Sequence, residues 1–271
     1  MLTQEQHLAL REKYNPDGSP RRELQMRLLD TLLWFDGFCK EHGIKYWLSS
    51  GTCLGAVRHH GFIPWDDDVD VDMMQEDFEK LVACFKENED YALQTPENDF
   101  FYLQGFAKFR DKHSLVAEHG EEDERYKYRG LYIDIFTMGH NRLPYFIYQR
   151  VKQHTCWITA LSIKRKFTSF DRALYSLLKK IHFKFINLCW KKDNEKKGDT
   201  LRYSAGNCFY KFVFKAANVA ETVDMDFEGH QLPVPKGWDG YLSDMFGDYM
   251  KVPDESEREA PGHFIDWKLL D

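Results

Sequence analysis

Five aspartates stand within seven residues, at positions 66, 67, 68, 70 and 72. From Asp68 onward they alternate with the apolar Val69, Val71 and Met73. An extended strand turns successive side chains to opposite faces, so Asp68, Asp70 and Asp72 are expected on one face and the apolar three on the other. Carboxylates two residues apart along a strand are separated by roughly 6.6 Å. At an effective dielectric of about 20, each such pair repels by about 2.5 kcal/mol. Aspartate is also a poor strand former. Such a stretch opposes folding unless positive charge meets its acidic face. The chemistry that suits it is binding of a divalent cation through oxygen ligands, Mg²⁺ or Mn²⁺.

Other residues fall into place around this stretch. Ser49-Ser50-Gly51-Thr52 reads as a small turn between a strand and a helix start. Such turns expose backbone N–H groups that suit phosphate oxygens. In Phe106-Ala107-Lys108-Phe109-Arg110-Asp111, alternation puts Lys108 and Arg110 on one strand face. Two readings stay open there: surface cations on a solvated edge, or cations that serve the acids. Asp134 is a lone acid in the apolar run from Gly130 to Phe136. A buried Asp needs a partner or a metal, which makes Asp134 a third carboxylate for the site. The alternative is an Asp that caps the strand end.

The elements that must hold these residues can be read from the pattern. A short amphipathic stretch precedes the turn Asn15-Pro16-Asp17-Gly18. Ser19-Pro20 starts a helix, with Ser as cap and Pro at the first position. Leu24, Leu28, Leu32, Phe35 and Cys39 mark its buried face. Gly43 stops it. A strand over Ile44 to Leu48 then leads to the Ser49 turn. Gln75 to Asn88 is expected to be helical, with Phe78, Leu81, Val82 and Phe85 inward. Glu118 to Arg129 reads as a charged loop. Val223 to Glu228 and Leu232 to Val234 pair around Gly229, and a helix follows through Tyr241, Leu242 and Met245. The whole fits one α/β (α+β) domain over 1–271, a mixed sheet flanked by helices, with residues 142–197 as a helical insertion.

That insertion carries an uneven share of the charge. The chain of 271 residues has a formal net charge of −7. Between Arg142 and Lys197 stand 14 Lys/Arg against 3 Asp/Glu, a local +11 that leaves −18 elsewhere. An acidic body argues against a general nucleic-acid binder. The basic, aromatic-rich segment is either a helical subdomain with a solvated basic face or a surface for an anionic membrane or lipid-linked acceptor. No signal-peptide pattern opens the sequence, no apolar run is long enough to span a bilayer, and the six cysteines show no metal-binding spacing. Reduced, buried thiols in a cytoplasmic protein, placed at most peripherally on the inner face of a membrane, are the expectation.

Gly51-Thr52-Cys53-Leu54-Gly55-Ala56-Val57-Arg58-His59, followed by Gly61-Phe62-Ile63-Pro64-Trp65-Asp66-Asp67-Asp68-Val69-Asp70, resembles the signature of the LicD family. Lys108-Phe109-Arg110-Asp111, Ile133-Asp134-Ile135-Phe136, Phe227-Glu228-Gly229, Val234-Pro235-Lys236 and Gly247-Asp248-Tyr249-Met250 agree with it. The resemblance runs from about residue 20 to 265 and is weakest in the basic middle. It implies a nucleotidyltransferase-like fold in which Gly51-Thr52 is the phosphate-facing turn, Asp68 and Asp70 the metal-binding pair and Asp134 the third acid. Thr52 stands where the wider superfamily has Ser or Gly. The cysteine pattern of the zinc insertion in the eukaryotic branch, which includes fukutin and fukutin-related protein, has no counterpart here.

The implied activity is metal-dependent transfer of a phospho-alcohol, typically phosphocholine, from a CDP-linked donor to a sugar of a surface glycan. On that reading Asp68, Asp70 and Asp134 hold Mg²⁺ or Mn²⁺, and Asp134 also stands as the base. Gly51, Thr52, Arg58, Lys108 and Arg110 meet donor phosphates. Asp66 and Asp67 orient the metal ligands, and Trp65, Tyr132 or Tyr46 would face a quaternary ammonium. Three other readings compete: a glycosyltransferase using a nucleotide-sugar, a non-catalytic divalent-cation (calcium) module counted from Asp68 to Glu79, and an inactive scaffold. The calcium loop already lacks its glycine, since Met73 stands at the sixth position.

Overall fold

The computed structural model describes residues 3–117, 125–162, 167–258, 264 and 266–270. Helices α1 (Gln4–Tyr14) and α2 (Pro20–Glu41) come first. Thr3 and Ser19 cap them, each accepting the backbone N–H three residues on. Leu24, Leu28, Leu32, Phe35 and Cys39 of α2 are all buried, at the spacing of one helical face.

The main sheet is mixed. Strands β1 (Trp47–Leu48), β2 (Asp70–Met74), β6 (Tyr132–Gly139), β4 (Ala107–Asp111) and β3 (Tyr91–Gln94) lie side by side in that order. β2 and β6 run parallel, and the other neighbours are antiparallel. Further along β6, β7 (Thr200–Tyr203) joins it, and β8 (Val213–Lys215) pairs with β7. Two hairpin-like pairs stand apart. One is β5 (Ser114–Ala117) with β11 (Asp266–Leu269), the other β9 (Thr222–Phe227) with β10 (His230–Pro235). Glu228 and Gly229 link the latter, both at positive φ (53° and 80°), as a two-residue hairpin turn of the primed kind demands.

Strand alternation sorts the sheet into two faces. Val71, Met73, Ile133, Ile135 and Phe109 are fully buried on one. Phe109 stacks there against Trp34 and packs on Phe35 of α2. The other face carries Asp70, Asp72, Asp134, Lys108 and Arg110. Helix α3 (Ser50–His59) connects β1 to the segment before β2. α5 (Tyr145–Ser162) and α6 (Ser169–Asp193) fill the region expected to be helical, on a second core that includes Tyr148, Tyr175 and Ile186. Short α7 (Ala216–Val219) and α9 (Glu255–Arg258) flank α8 (Trp238–Phe246).

Several expectations need correction. Helix α4 (Gln75–Cys84) ends four residues before Asn88, because the Asn88 side chain accepts the N–H groups of Asp90 and Tyr91 and opens the next turn. Within the helix, Phe78 and Leu81 face the core, whereas Val82 falls on the outer face and is 47% exposed. Only Trp47 and Leu48 of the Ile44 to Leu48 stretch enter the ladder, opposite Asp72 and Val71. β4 lies between β6 and β3, so Lys108 and Arg110 are not on a solvated edge; both are buried. All six cysteines are free, but Cys84, Cys156 and Cys208 are exposed. The strand from Asp70 to Met74 replaces any calcium loop beginning at Asp68. Most of the expected Glu118 to Arg129 loop, residues 118–124, lies outside the described residues.

Candidate active site

The parallel register of β2 and β6 sets Asp70 directly opposite Asp134, and the antiparallel register of β6 and β4 sets Asp134 opposite Lys108. Paired residues point to the same face, so Asp70, Asp134 and Lys108 form one row across three strands. Lys108 Nζ lies 3.0 Å from Asp134 Oδ1. Asp70 is fully enclosed. Burial first, and then the charges of Asp68, Asp134, Asp66 and Asp72, hold its carboxyl well above the usual carboxylate range. Asp70 thus pays for facing several acids in a buried setting.

Helix α3 brings its first turn to this row. The Asp70 N–H donates to Thr52 Oγ1 at 2.9 Å, and the Ser49 N–H donates to the Asp70 carbonyl at 3.0 Å. A Cβ on Gly51 would sit 2.9 Å from Asp66 Oδ2, so glycine lets that carboxylate approach the helix N-terminus. Asp66, Asp67 and Asp68 lie in the irregular segment just ahead of β2, with carboxylate oxygens within 4.8 Å of one another. Asp67 Oδ2 accepts the Phe264 N–H at 3.2 Å. Gln25 of α2 donates to the Asp66 and Ile63 carbonyls and fixes the segment from below. Arg22 NH2 meets Glu228 Oε2 at 2.6 Å, and Glu228 Oε1 accepts the Phe62 N–H, which ties the β9–β10 turn to the same loop. Gly55 allows α3 to close on this loop, since a Cβ there would meet the Gly61 carbonyl at 2.4 Å.

Asp72 shares the face of Asp70 but not its surroundings. Its Oδ2 accepts from Tyr203 (2.9 Å) and Tyr241 (3.0 Å), and Tyr241 also receives the Ser50 N–H at 3.2 Å. Burial raises the Asp72 carboxyl to about 7 against these lowering hydrogen bonds. Ser50 holds φ at 50°, an uncommon value for a residue other than glycine, and Tyr241 fastens it there. Tyr203 and Tyr241 were invisible to motif reading. They come from β7 and α8, and no local spacing ties them to β2. Cys208 was missed as well. Desolvation of its sulfur, then the charges of Asp134 and Asp70, raise its thiol to about 12, although the residue as a whole keeps an exposed face.

The cations have unequal roles. Arg58 NH1 donates to the Tyr249 and Lys251 carbonyls, and its Nε meets His59, so this guanidinium braces the C-terminal segment while it still feels Asp66. Arg110 donates to Gln94 and to the Gly130 carbonyl beneath the sheet face. The Tyr132 ring carries Lys108 Nζ at 3.2 Å and the Arg110 guanidinium at 4.4 Å. Tyr46 is buried against Asp36, and Trp65 packs on Tyr14 and His59. A groove of about 720 Å³ lies elsewhere, lined by Met74, His140 and Trp190. It opens about 13 Å down β2 from Asp70, four residues at strand rise. The acid cluster offers hard oxygen donors in a partly dry setting, the donor set that Mg²⁺ or Mn²⁺ prefers.

Comparison with known proteins bears on what this arrangement is for. The family model described as LicD/FKTN/FKRP, nucleotidyltransferase domain, matches residues 43–190, which include every acid of the row. The chain belongs to the LicD family. It is 29% identical to the lipopolysaccharide cholinephosphotransferase LicD of Haemophilus influenzae over 271 aligned positions, 92% of this chain and 98% of that protein. Shorter stretches resemble parts of other proteins. The ribitol 5-phosphate transferase FKRP of Homo sapiens is 44% identical over 50 residues, 18% of this chain and 10% of FKRP. Mannosyltransferase regulator 4 of Saccharomyces cerevisiae is 29% identical over 132 residues, 46% of this chain and 11% of that protein. This member of the family thus has an α+β fold, with Asp70 opening β2 opposite Asp134 of β6.

Proposed function

We propose that the site transfers a phospho-alcohol, phosphocholine in the first instance, from a CDP-linked donor to a sugar hydroxyl of a cell-surface glycan. The observation that carries the reading is the register of Asp70 against Asp134 beside the α3 N-terminus. The near full-length similarity to a cholinephosphotransferase supports it and sets the order of candidate alcohols.

In the reaction, the acceptor oxygen attacks the phosphorus that bears the alcohol. A new P–O bond forms, the P–O bond to CMP breaks, and the hydroxyl proton passes to a carboxylate. Asp134 is the base: it stands opposite Asp70 in the row, with Lys108 Nζ 3.0 Å from its Oδ1 to hold the carboxylate in place. Asp68, Asp70 and Asp134 would hold Mg²⁺ or Mn²⁺, which when bound neutralises the diphosphate and stabilises the leaving CMP. Gly51 and Thr52 present the α3 N-terminus to a phosphate oxygen. Lys108 supplies positive charge to the row, and Arg110 positions it through their shared Tyr132 ring. Arg58 acts through the fold, by holding the segment at Tyr249.

The test is CMP release from CDP-choline, CDP-ribitol and CDP-glycerol, with Mg²⁺ and a panel of glycan acceptors, against UDP-sugars in parallel. CMP released only when acceptor is present supports the proposal. Nucleoside diphosphate released from a UDP-sugar would replace it with glycosyl transfer.

A further inference from the structure

Helix α6 buries one face and leaves the opposite one uncovered. Tyr175, His182, Phe183, Ile186 and Cys189 point into the second core. On the far side, Phe170, Leu174, Leu177, Ile181, Phe185 and Leu188 follow one another at steps of four, three, four, four and three residues. That spacing keeps them in a single stripe along the helix. Each is between 43% and 75% exposed. Lys180, Lys184 and Lys191 stand exposed along one border of the stripe. On α5, Trp157 and Phe146 add exposed apolar surface. A surface stripe of this length is unusual in water. Among the described residues no helix is long and apolar enough to cross a membrane, so α6 does not have the makings of a span.

We propose that the outer face of α6 docks this protein on an anionic lipid bilayer. Charge complementarity selects that occupant. The segment around α6 carries a net +11 on a chain whose remainder carries −18. Two copies joined through the same stripe would bring their Lys180, Lys184 and Lys191 rows together, which like charge opposes. A bilayer accepts the apolar stripe at its acyl boundary and meets the lysines with lipid phosphates. The acidic remainder is repelled by the same surface, so it fixes which side faces the lipid. The Trp190 indole N–H donates to the Ala205 carbonyl, which ties the end of α6 to the segment after β7.

Sedimentation with vesicles of phosphatidylcholine containing about one-third phosphatidylglycerol tests this without donor, metal or acceptor, so its outcome is independent of the transfer reaction. The full chain is expected to sediment at low salt and to remain in solution with pure phosphatidylcholine. The triple substitution Leu177→Ser, Ile181→Ser, Phe185→Ser should weaken binding at least about tenfold. The set Lys180→Glu, Lys184→Glu, Lys191→Glu should weaken it about a hundredfold or more. Both sets lie on exposed positions, and unchanged thermal melts show that the fold persists. Failure of the unaltered protein to sediment overturns the proposal. So does binding that survives the apolar triple, or a dimer in solution that the apolar triple dissolves, which would assign the face to self-association.

Discussion

Asp70 and Asp72 lie two residues apart on one face of one strand, yet only one of them is left facing other acids. Two tyrosine hydroxyls hold Asp72, whereas Asp70 looks onto Asp134, Asp68 and Asp66. Asp70→Asn should therefore raise the melting temperature of the metal-free protein by a few degrees, about 1 kcal/mol of relieved repulsion in a chain this size. The same change should abolish CMP release and the melting shift produced by Mg²⁺, both read by calorimetry and assay on one preparation. An unaltered Mg²⁺ shift would remove Asp70 from the cation site. Asp72 is tested by pH. Its carboxyl rises to about 7 in the fold against about 4 unfolded, so it stabilises below pH ~4 and that contribution is lost as pH climbs through 7. Asp72→Asn should erase this falling arm in denaturant titrations between pH 4 and 7, whatever it does to absolute stability. Equal slopes would mean that Asp72 keeps its proton state on unfolding. The motif made both acids look alike; their difference rests on Tyr203 and Tyr241, which lie 131 and 169 residues away in sequence.

At the scale of elements, strands and helices were readable where one face is apolar, as in α2 and β6, and unreadable where a side chain far away decides. Arg58 stands in the signature block beside Gly51, so adjacency made it a phosphate ligand by analogy. The fold turns its NH1 to carbonyls at 249 and 251. The β9–β10 turn illustrates the reverse: the hairpin around Gly229 is legible in the sequence, and the structure adds the pair that Glu228 makes with Arg22. Glu228→Gln removes the charge from a mostly enclosed, bidentate pair with Arg22. It should cost about 2–4 kcal/mol in chemical denaturation and lower transfer by loosening the loop that carries Asp66. Activity that holds steady despite the lost stability would detach this loop from the chemistry. In the helical insertion, burial first and then His154 lower His182 to about 4. Its fold pKa is depressed below about 6.5, so the insertion keeps full stability above that value and loses it as pH falls toward 4. His182→Gln should flatten that acid-side slope in a melt series; a slope that does not change would place the acid sensitivity elsewhere.

For the whole molecule, composition announced an acidic body with one basic segment, and alternation announced which half of each strand would be apolar. Neither could announce strand order. β4 became an interior strand only through pairings with both β6 and β3, and that is why Lys108 and Arg110 are buried rather than solvated. The parallel pairing of β2 with β6 has a further bearing on how such chains can vary. Asp70 and Asp134 meet solely because the first residue of β2 falls level with the third of β6. Length changes in the connections between them leave that alignment alone, whereas one residue gained between Val69 and Asp70 would turn Asp70 to the oily side and bring Val71 onto the rung of Asp72. Evolutionary tinkering with this scaffold is thus free in its joints and forbidden at a single rung.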